Sequence, residues 1–118
     1  MGNNVALGAQ GEDLAAEFLT AAGMTIVDRN WRTRYGEIDL IVRSDDVLVF
    51  VEVKTRTGRR MGVPAEAVTL TKQRRIRRLA AVWLAEQSGP WTPVRFDVVS
   101  VLIESGAEPV IEHLEAVF

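Results

Sequence analysis

The sequence contains no cysteine and a single histidine, His113, close to its C-terminal end. Disulfides, thiolate zinc sites and cysteine nucleophiles are thereby excluded, and so is a histidine-rich metal centre. No apolar run approaches a membrane span, and the first residues lack a basic segment followed by an apolar core. A cytoplasmic protein with no membrane partner is the expectation. Lys and Arg are missing from residues 1–28, which carry four acids, and residues 79–118 carry six acids against one Arg. Positive charge is concentrated between residues 29 and 78, where thirteen Lys or Arg face six acids. The three segments carry −4, +7 and −5 within a net charge of −2. A local basic surface can bind a polyanion on a chain of negative total charge; a merely solvated basic face is the alternative that composition leaves open.

What is present is the composition of one ordinary globular domain spanning residues 1–118, with 47% hydrophobic and 25% charged residues. Its most informative stretch runs from Gly36 to Lys54. Two apolar runs flank a polar turn at Ser44-Asp45-Asp46, and both are rich enough in Val, Ile, Leu and Phe for strands covered on two faces. Charges should be excluded there, yet Asp39 interrupts the first run and Glu52 and Lys54 the second. Strand alternation puts Glu52 and Lys54 on one face, where Asp39 meets them if the hairpin register allows. Two carboxylates so placed repel each other, and a divalent cation offsets that repulsion. Mg²⁺ takes one or two carboxylates, several waters and a phosphate oxygen, so Asp39 and Glu52 are candidate ligands. Lys54 would face the attacking water or the charge growing on a phosphoryl oxygen. Taken alone, a Glu-x-Lys tripeptide more often marks a solvated edge. Embedding of all three charges, and the basic Thr55–Arg60 segment that follows, shifts the balance toward a phosphate-backbone substrate.

Along the chain, residues from about Asn4 to Ala22 fit a helix with an apolar stripe of Leu7, Leu14, Phe18 and Ala22, widened by Ala15 and Leu19. Gly23 suits the left-handed residue past its end, while Gly8 and Gly11 within it call for close packing against a sheet. Glu12 lies among these small residues; spacing alone favours an acid near a helix start pointing to solvent. Met24 to Trp31 reads as a first strand entering a basic, aromatic connection. Trp31 and Tyr35 there could stack on bases, but half-buried core edges are the commoner use. Gly58–Pro64 reads as a loop and Pro64–Thr69 as a helical turn. A helix follows to about Gln87, capped by Thr69 or Thr71, with Ile76, Leu79, Ala80, Trp83 and Leu84 as its stripe. Lys72, Arg74, Arg75, Arg77 and Arg78 crowd its first half against the helix dipole, as an anionic partner would explain. Gln73 is expected on the surface, with phosphate or water orientation as the functional alternative. Ser88-Gly89-Pro90 ends the helix, Val94–Ile103 is a strong strand, and Pro109–Leu114 adds a short edge strand. Asp97 inside that strong strand is expected to serve a turn or a partner arginine. The element order α-β-β-β-α-β, with a last short β, predicts a mixed α/β three-layer sandwich.

Gly36-Glu37-Ile38-Asp39-Leu40-Ile41, followed by Phe50-Val51-Glu52-Val53-Lys54-Thr55-Arg56, resembles the core of the bacterial YraN-type family of small proteins. The resemblance extends over nearly the whole chain, including Gly8–Glu12 and the helix that contains Lys72. That family is similar in turn to the restriction-endonuclease-like nucleases, with their Asp…Glu-x-Lys signature, and especially to archaeal Holliday-junction resolvases. The resemblance implies a restriction-endonuclease-like fold. Asp39 and Glu52 would be metal ligands, the Val53 carbonyl would complete the coordination, Lys54 would be the catalytic lysine and Glu12 an auxiliary acid. Ile38 stands where the superfamily usually has proline. The expected function is Mg²⁺- or Mn²⁺-dependent hydrolysis of DNA phosphodiesters, on branched or single-stranded DNA. Arg56, Arg59, Arg60, Lys72, Arg74, Arg75 and Arg78 would hold the backbone. A non-catalytic nucleic-acid-binding module of the same fold is the alternative, and a protein-interaction domain a third. The resolvases act as dimers, which leaves a homodimer open for this chain.

Overall fold

A computed structural model of the chain describes residues 3–58, 68–87 and 93–118. The expected loop at Gly58–Pro64 beyond its first residue, most of the Pro64–Thr69 turn, and the Ser88-Gly89-Pro90 helix end lie outside the described residues, as do Arg59 and Arg60. The elements are helix α1 (Asn3–Ala21), strands β1 (Thr25–Thr33), β2 (Gly36–Ser44) and β3 (Val47–Arg56), helix α2 (Leu70–Ala85), and strands β4 (Val94–Leu102) and β5 (Val110–Leu114). The strands form one sheet in the order β1-β2-β3-β4-β5, antiparallel except for the β3–β4 pair. A helix on each face makes three layers, as the element order predicts.

The two faces carry separate cores because β2, β3 and β4 are apolar on both sides. Leu40, Val42, Val49, Val51, Val99 and Val101 pack under Ala15, Ala16 and Leu19 of α1. Ile41, Leu48, Phe50 and Phe96 pack under Ile76, Leu79, Ala80 and Trp83 of α2. The α2 stripe is the predicted one, and Thr69 is its cap, accepting the Lys72 N–H at 3.2 Å. The α1 stripe is narrower than predicted. Its line of contact runs through Gly11, Ala15 and Leu19, while Phe18 stands at the edge, 37% exposed, with its ring edge-on to His113.

The glycines of α1 divide. A Cβ at Gly8 would meet nothing, whereas one at Gly11 would fall 1.9 Å from Thr55 Oγ1 and 2.9 Å from Thr55 Cβ. Helix and strand touch backbone to side chain at that point, and this contact sets the height at which Glu12 crosses the sheet. Gly11→Ala is expected to lower stability by about 1–2 kcal/mol, because overpacking a β-branched neighbour outweighs the ~1 kcal/mol gained in helix propensity. Urea unfolding measures it; an unchanged or raised midpoint would contradict the contact.

Candidate metal centre

The site forms where β2 and β3 part. Their pairing runs from Ser44↔Val47 to Leu40↔Val51 and stops there. One step further, where Asp39 would face Glu52, the Val53 N–H donates instead to Asp39 Oδ2 at 2.8 Å. The aspartate side chain thus takes the place of the missing ladder bond. β2 also departs from alternation here: Ile38 and Ile41, three residues apart, both join the α2-side core. That irregularity brings Asp39 within reach of acids from both sides of the sheet.

Glu12 of α1, Glu37 and Asp39 each bring a carboxylate oxygen within 4.8 Å of the other two. Burial, the neighbouring charge of Glu52, and then those of Glu12 and Glu37 push the Asp39 carboxyl up to about 8 against the Val53 hydrogen bond. Glu12 is raised as well, chiefly by burial and by Glu37, with its hydrogen bond to Asn30 opposing. Glu37 also pairs with Arg32 at 3.1 Å. Glu52 is buried and its carboxylate lies against Lys72 of α2, Nζ to Oε2 2.5 Å. Lys54, two residues on, is half-buried beside Ser100 of β4.

Of the residues expected at the site, the structure therefore gathers Glu12 with Asp39, sets Glu52 close enough to act on Asp39 electrostatically, and leaves the Val53 main chain at the fork through its N–H. Carboxylates alone, mutually repelling and partly desolvated, make a donor set suited to a hard divalent cation. Glu37 was not singled out by the sequence as a ligand, although the Gly-Glu-x-Asp spacing carries the signal: it stands two residues before Asp39 on one strand.

The basic residues divide. Arg74, Arg75 and Arg78 are exposed on α2, with the Arg75 side chain against Gly36 at the start of β2, directly before the acids. Arg77 lies over the Phe96 ring at 4.6 Å and is engaged with the core. Arg56 ends β3 half-buried, its carbonyl accepting the Ile103 N–H at 2.8 Å. Lys72, expected on the nucleic-acid face, is paired with Glu52. Gln73 donates to the Val68 carbonyl at 3.1 Å rather than standing free on the surface. Trp31 is the half-buried core edge expected of it, but Tyr35 is 66% exposed under the Arg34 guanidinium. Asp97 has the expected arginine partner, as Arg95 forks it with two contacts of 2.9 Å.

Fold and acids together define a small three-layer α/β protein with a carboxylate cluster at a strand fork. The sequence profile of the Uncharacterised protein family UPF0102 matches residues 11–101, and the chain belongs to that family, the YraN-type proteins. A UPF0102 protein of Nocardia farcinica is 65% identical over 118 residues, covering all of this chain and 93% of its own. One from Rhodococcus opacus is 63% identical with both chains fully covered, and one from Mycobacterium tuberculosis is 50% identical over 96% of this chain and 92% of its own.

Proposed function

We propose that the protein is a divalent-metal-dependent endonuclease of the restriction-endonuclease-like superfamily, related to the archaeal Holliday-junction resolvases, which hydrolyses DNA phosphodiesters. The observation that carries this is the fork: Asp39 held by the Val53 N–H, with Glu12 and Glu37 oxygens within 4.8 Å and Glu52 on the next strand. Asp39, Glu12, Glu37 and Glu52 would hold Mg²⁺ or Mn²⁺. When bound, the ion would supply Lewis-acid polarisation of a phosphate and a more acidic water. Lys54, in the same row of β3 as Glu52, would supply an ammonium to the charge developing on the phosphoryl oxygens. Arg75 lies against Gly36 next to the cluster, and with the exposed Arg74 and Arg78 of the same helix it would hold the sugar-phosphate backbone with little regard to sequence. Branched DNA is the substrate favoured by the relation to resolvases.

The test incubates labelled branched, single-stranded and duplex DNA with Mg²⁺, Mn²⁺ or EDTA. Cleavage is expected with either metal and absent in EDTA. Lys54→Ala should lower the rate by about 10²–10³-fold while salt-sensitive binding persists. Binding without any metal-dependent product supports the alternative, a nucleic-acid-binding module that cuts nothing. The Lys72–Glu52 pair favours that alternative, since an acid neutralised by the chain's own lysine does not need a metal for its folding. Absence of salt-sensitive binding removes both.

A further inference from the structure

Lys72 is set apart from the arginines that follow it by helical phase. It precedes Ile76 by four residues and Leu79 by seven, so its Cβ lies on the stripe that faces the sheet, whereas Arg74, Arg75 and Arg78 are exposed. The Thr69 hydroxyl fixes the turn that carries it. Its flexible stem runs down the stripe to Glu52, whose side chain is 8% exposed against 36% for Lys72. A carboxylate so buried is disfavoured without a counter-charge. Lys72 meets that demand from within the fold. It does so by direct contact of its Nζ with Glu52 Oε2 at 2.5 Å, so a cation brought to Glu52 meets a carboxylate already neutralised by an ammonium.

We propose that Lys72 is a built-in counter-ion of Glu52, which a divalent cation must displace before Glu52 serves as a ligand. This rests on the metal-site proposal above. Displacement leaves an ammonium with three donors at the mouth of the site, on the same helix as the exposed arginines, where a phosphate oxygen is its natural partner. Metal and nucleic acid would then reinforce each other's binding, because the phosphate draws away the group that competes with the metal.

The test is Mn²⁺ affinity by titration calorimetry, without DNA and at fixed pH, for wild type, Lys72→Met, Lys72→Arg and Arg74→Met. Lys72→Met is expected to bind Mn²⁺ about tenfold more tightly, since a competing unit charge in direct contact with a ligand has gone. Lys72→Arg should bind a few-fold more weakly, because the guanidinium fork grips a carboxylate at two points. Arg74→Met removes the same charge from an exposed neighbouring position and should change affinity less than about twofold. Unchanged or weaker binding by Lys72→Met overturns the inference, as does an Arg74→Met gain equal to that of Lys72→Met, which would reduce the effect to net charge. Should Lys72→Met not fold, Lys72→Arg decides alone, and equal or tighter binding there overturns the inference. A wild type that binds Mn²⁺ while Lys72→Met matches it sinks this inference only; no Mn²⁺ binding by any of the four proteins sinks the metal site as well.

Discussion

Asp39→Asn is expected to make the metal-free protein more stable at pH 8 by about 2–5 kcal/mol and to lower metal-dependent cleavage by at least about 10³-fold. Both effects come from one carboxyl. Burial and the charge of Glu52 raise it from 3.8 to about 8 in the folded chain. The folded chain therefore holds this proton more tightly than the unfolded chain. The stabilisation associated with the protonated form is fully present below 3.8 and is lost as pH rises to about 8. An asparagine oxygen still accepts the Val53 N–H but carries no charge, so the variant escapes the penalty. Urea unfolding in EDTA across that pH window should give a stability difference that widens with pH by up to ~1.4 kcal/mol per unit. Added Mn²⁺ should raise the wild-type midpoint and leave the variant unmoved. A variant less stable than wild type at pH 8 in EDTA would contradict the assignment of strain to Asp39. A cation bound at the fork would offset this penalty, as the metal-site proposal requires.

The second large effect is structural. Asp97 is fully buried on the α1 side of β4, and it ties three groups through four contacts: two from Arg95, His113 Nε2 at 2.7 Å, and the Ala116 N–H at 2.9 Å. Burial pushes its carboxyl up, but the hydrogen bonds from His113, Arg95 and Ala116 outweigh it and hold the carboxyl below the usual range. Its contribution is therefore present above 3.8 and lost only as pH falls through the lowered value. Removing the acid would leave an arginine, an imidazole and a backbone N–H without their shared acceptor. Asp97→Ala should cost about 3–5 kcal/mol at neutral pH, a large part of the stability of a domain this size. The last residues should loosen with it, because the Ala116 bond precedes the Val117 N–H to Phe96 carbonyl bond and the stacking of Phe118 on Phe96. Urea unfolding and amide exchange at Val117 measure both. Mn²⁺ affinity of the folded fraction should stay within about twofold, since every partner of Asp97 belongs to β4, β5 or the C-terminal residues.

The central hairpin was legible because two long apolar runs with a polar turn between them have few other folded solutions, and charges inside such runs stand out. The cores under α2 were legible for the same reason, Ile76, Leu79, Ala80 and Trp83 having an unambiguous helical period. The α1 stripe was harder to place. Apolar size pointed to Phe18, while the sheet instead takes the small surface of Gly11, Ala15 and Ala16, where backbone can approach closely. Lys72 was assigned by charge to the arginine face, although its phase with Ile76 and Leu79 marks it as sheet-facing; a charged residue at the end of an apolar stripe belongs to that stripe's target. Glu37 is absent from the expected ligands: its spacing from Asp39 puts both on one strand face, but regular alternation gives no hint that β2 and β3 separate there and open that face to Glu12. A fork between strands is a tertiary event, set by twist and by the Ile38 and Ile41 packing against α2, and no period in either strand announces it.

The most direct test is a crystal soaked in Mn²⁺, with anomalous scattering used to find the ion. The account predicts one strong peak at the fork, coordinated by Asp39 with Glu12, Glu37 or Glu52, and the Lys72 ammonium moved off Glu52. No peak at the fork at millimolar Mn²⁺, with Glu52 still against Lys72 and ions only at exposed acids elsewhere, would contradict it.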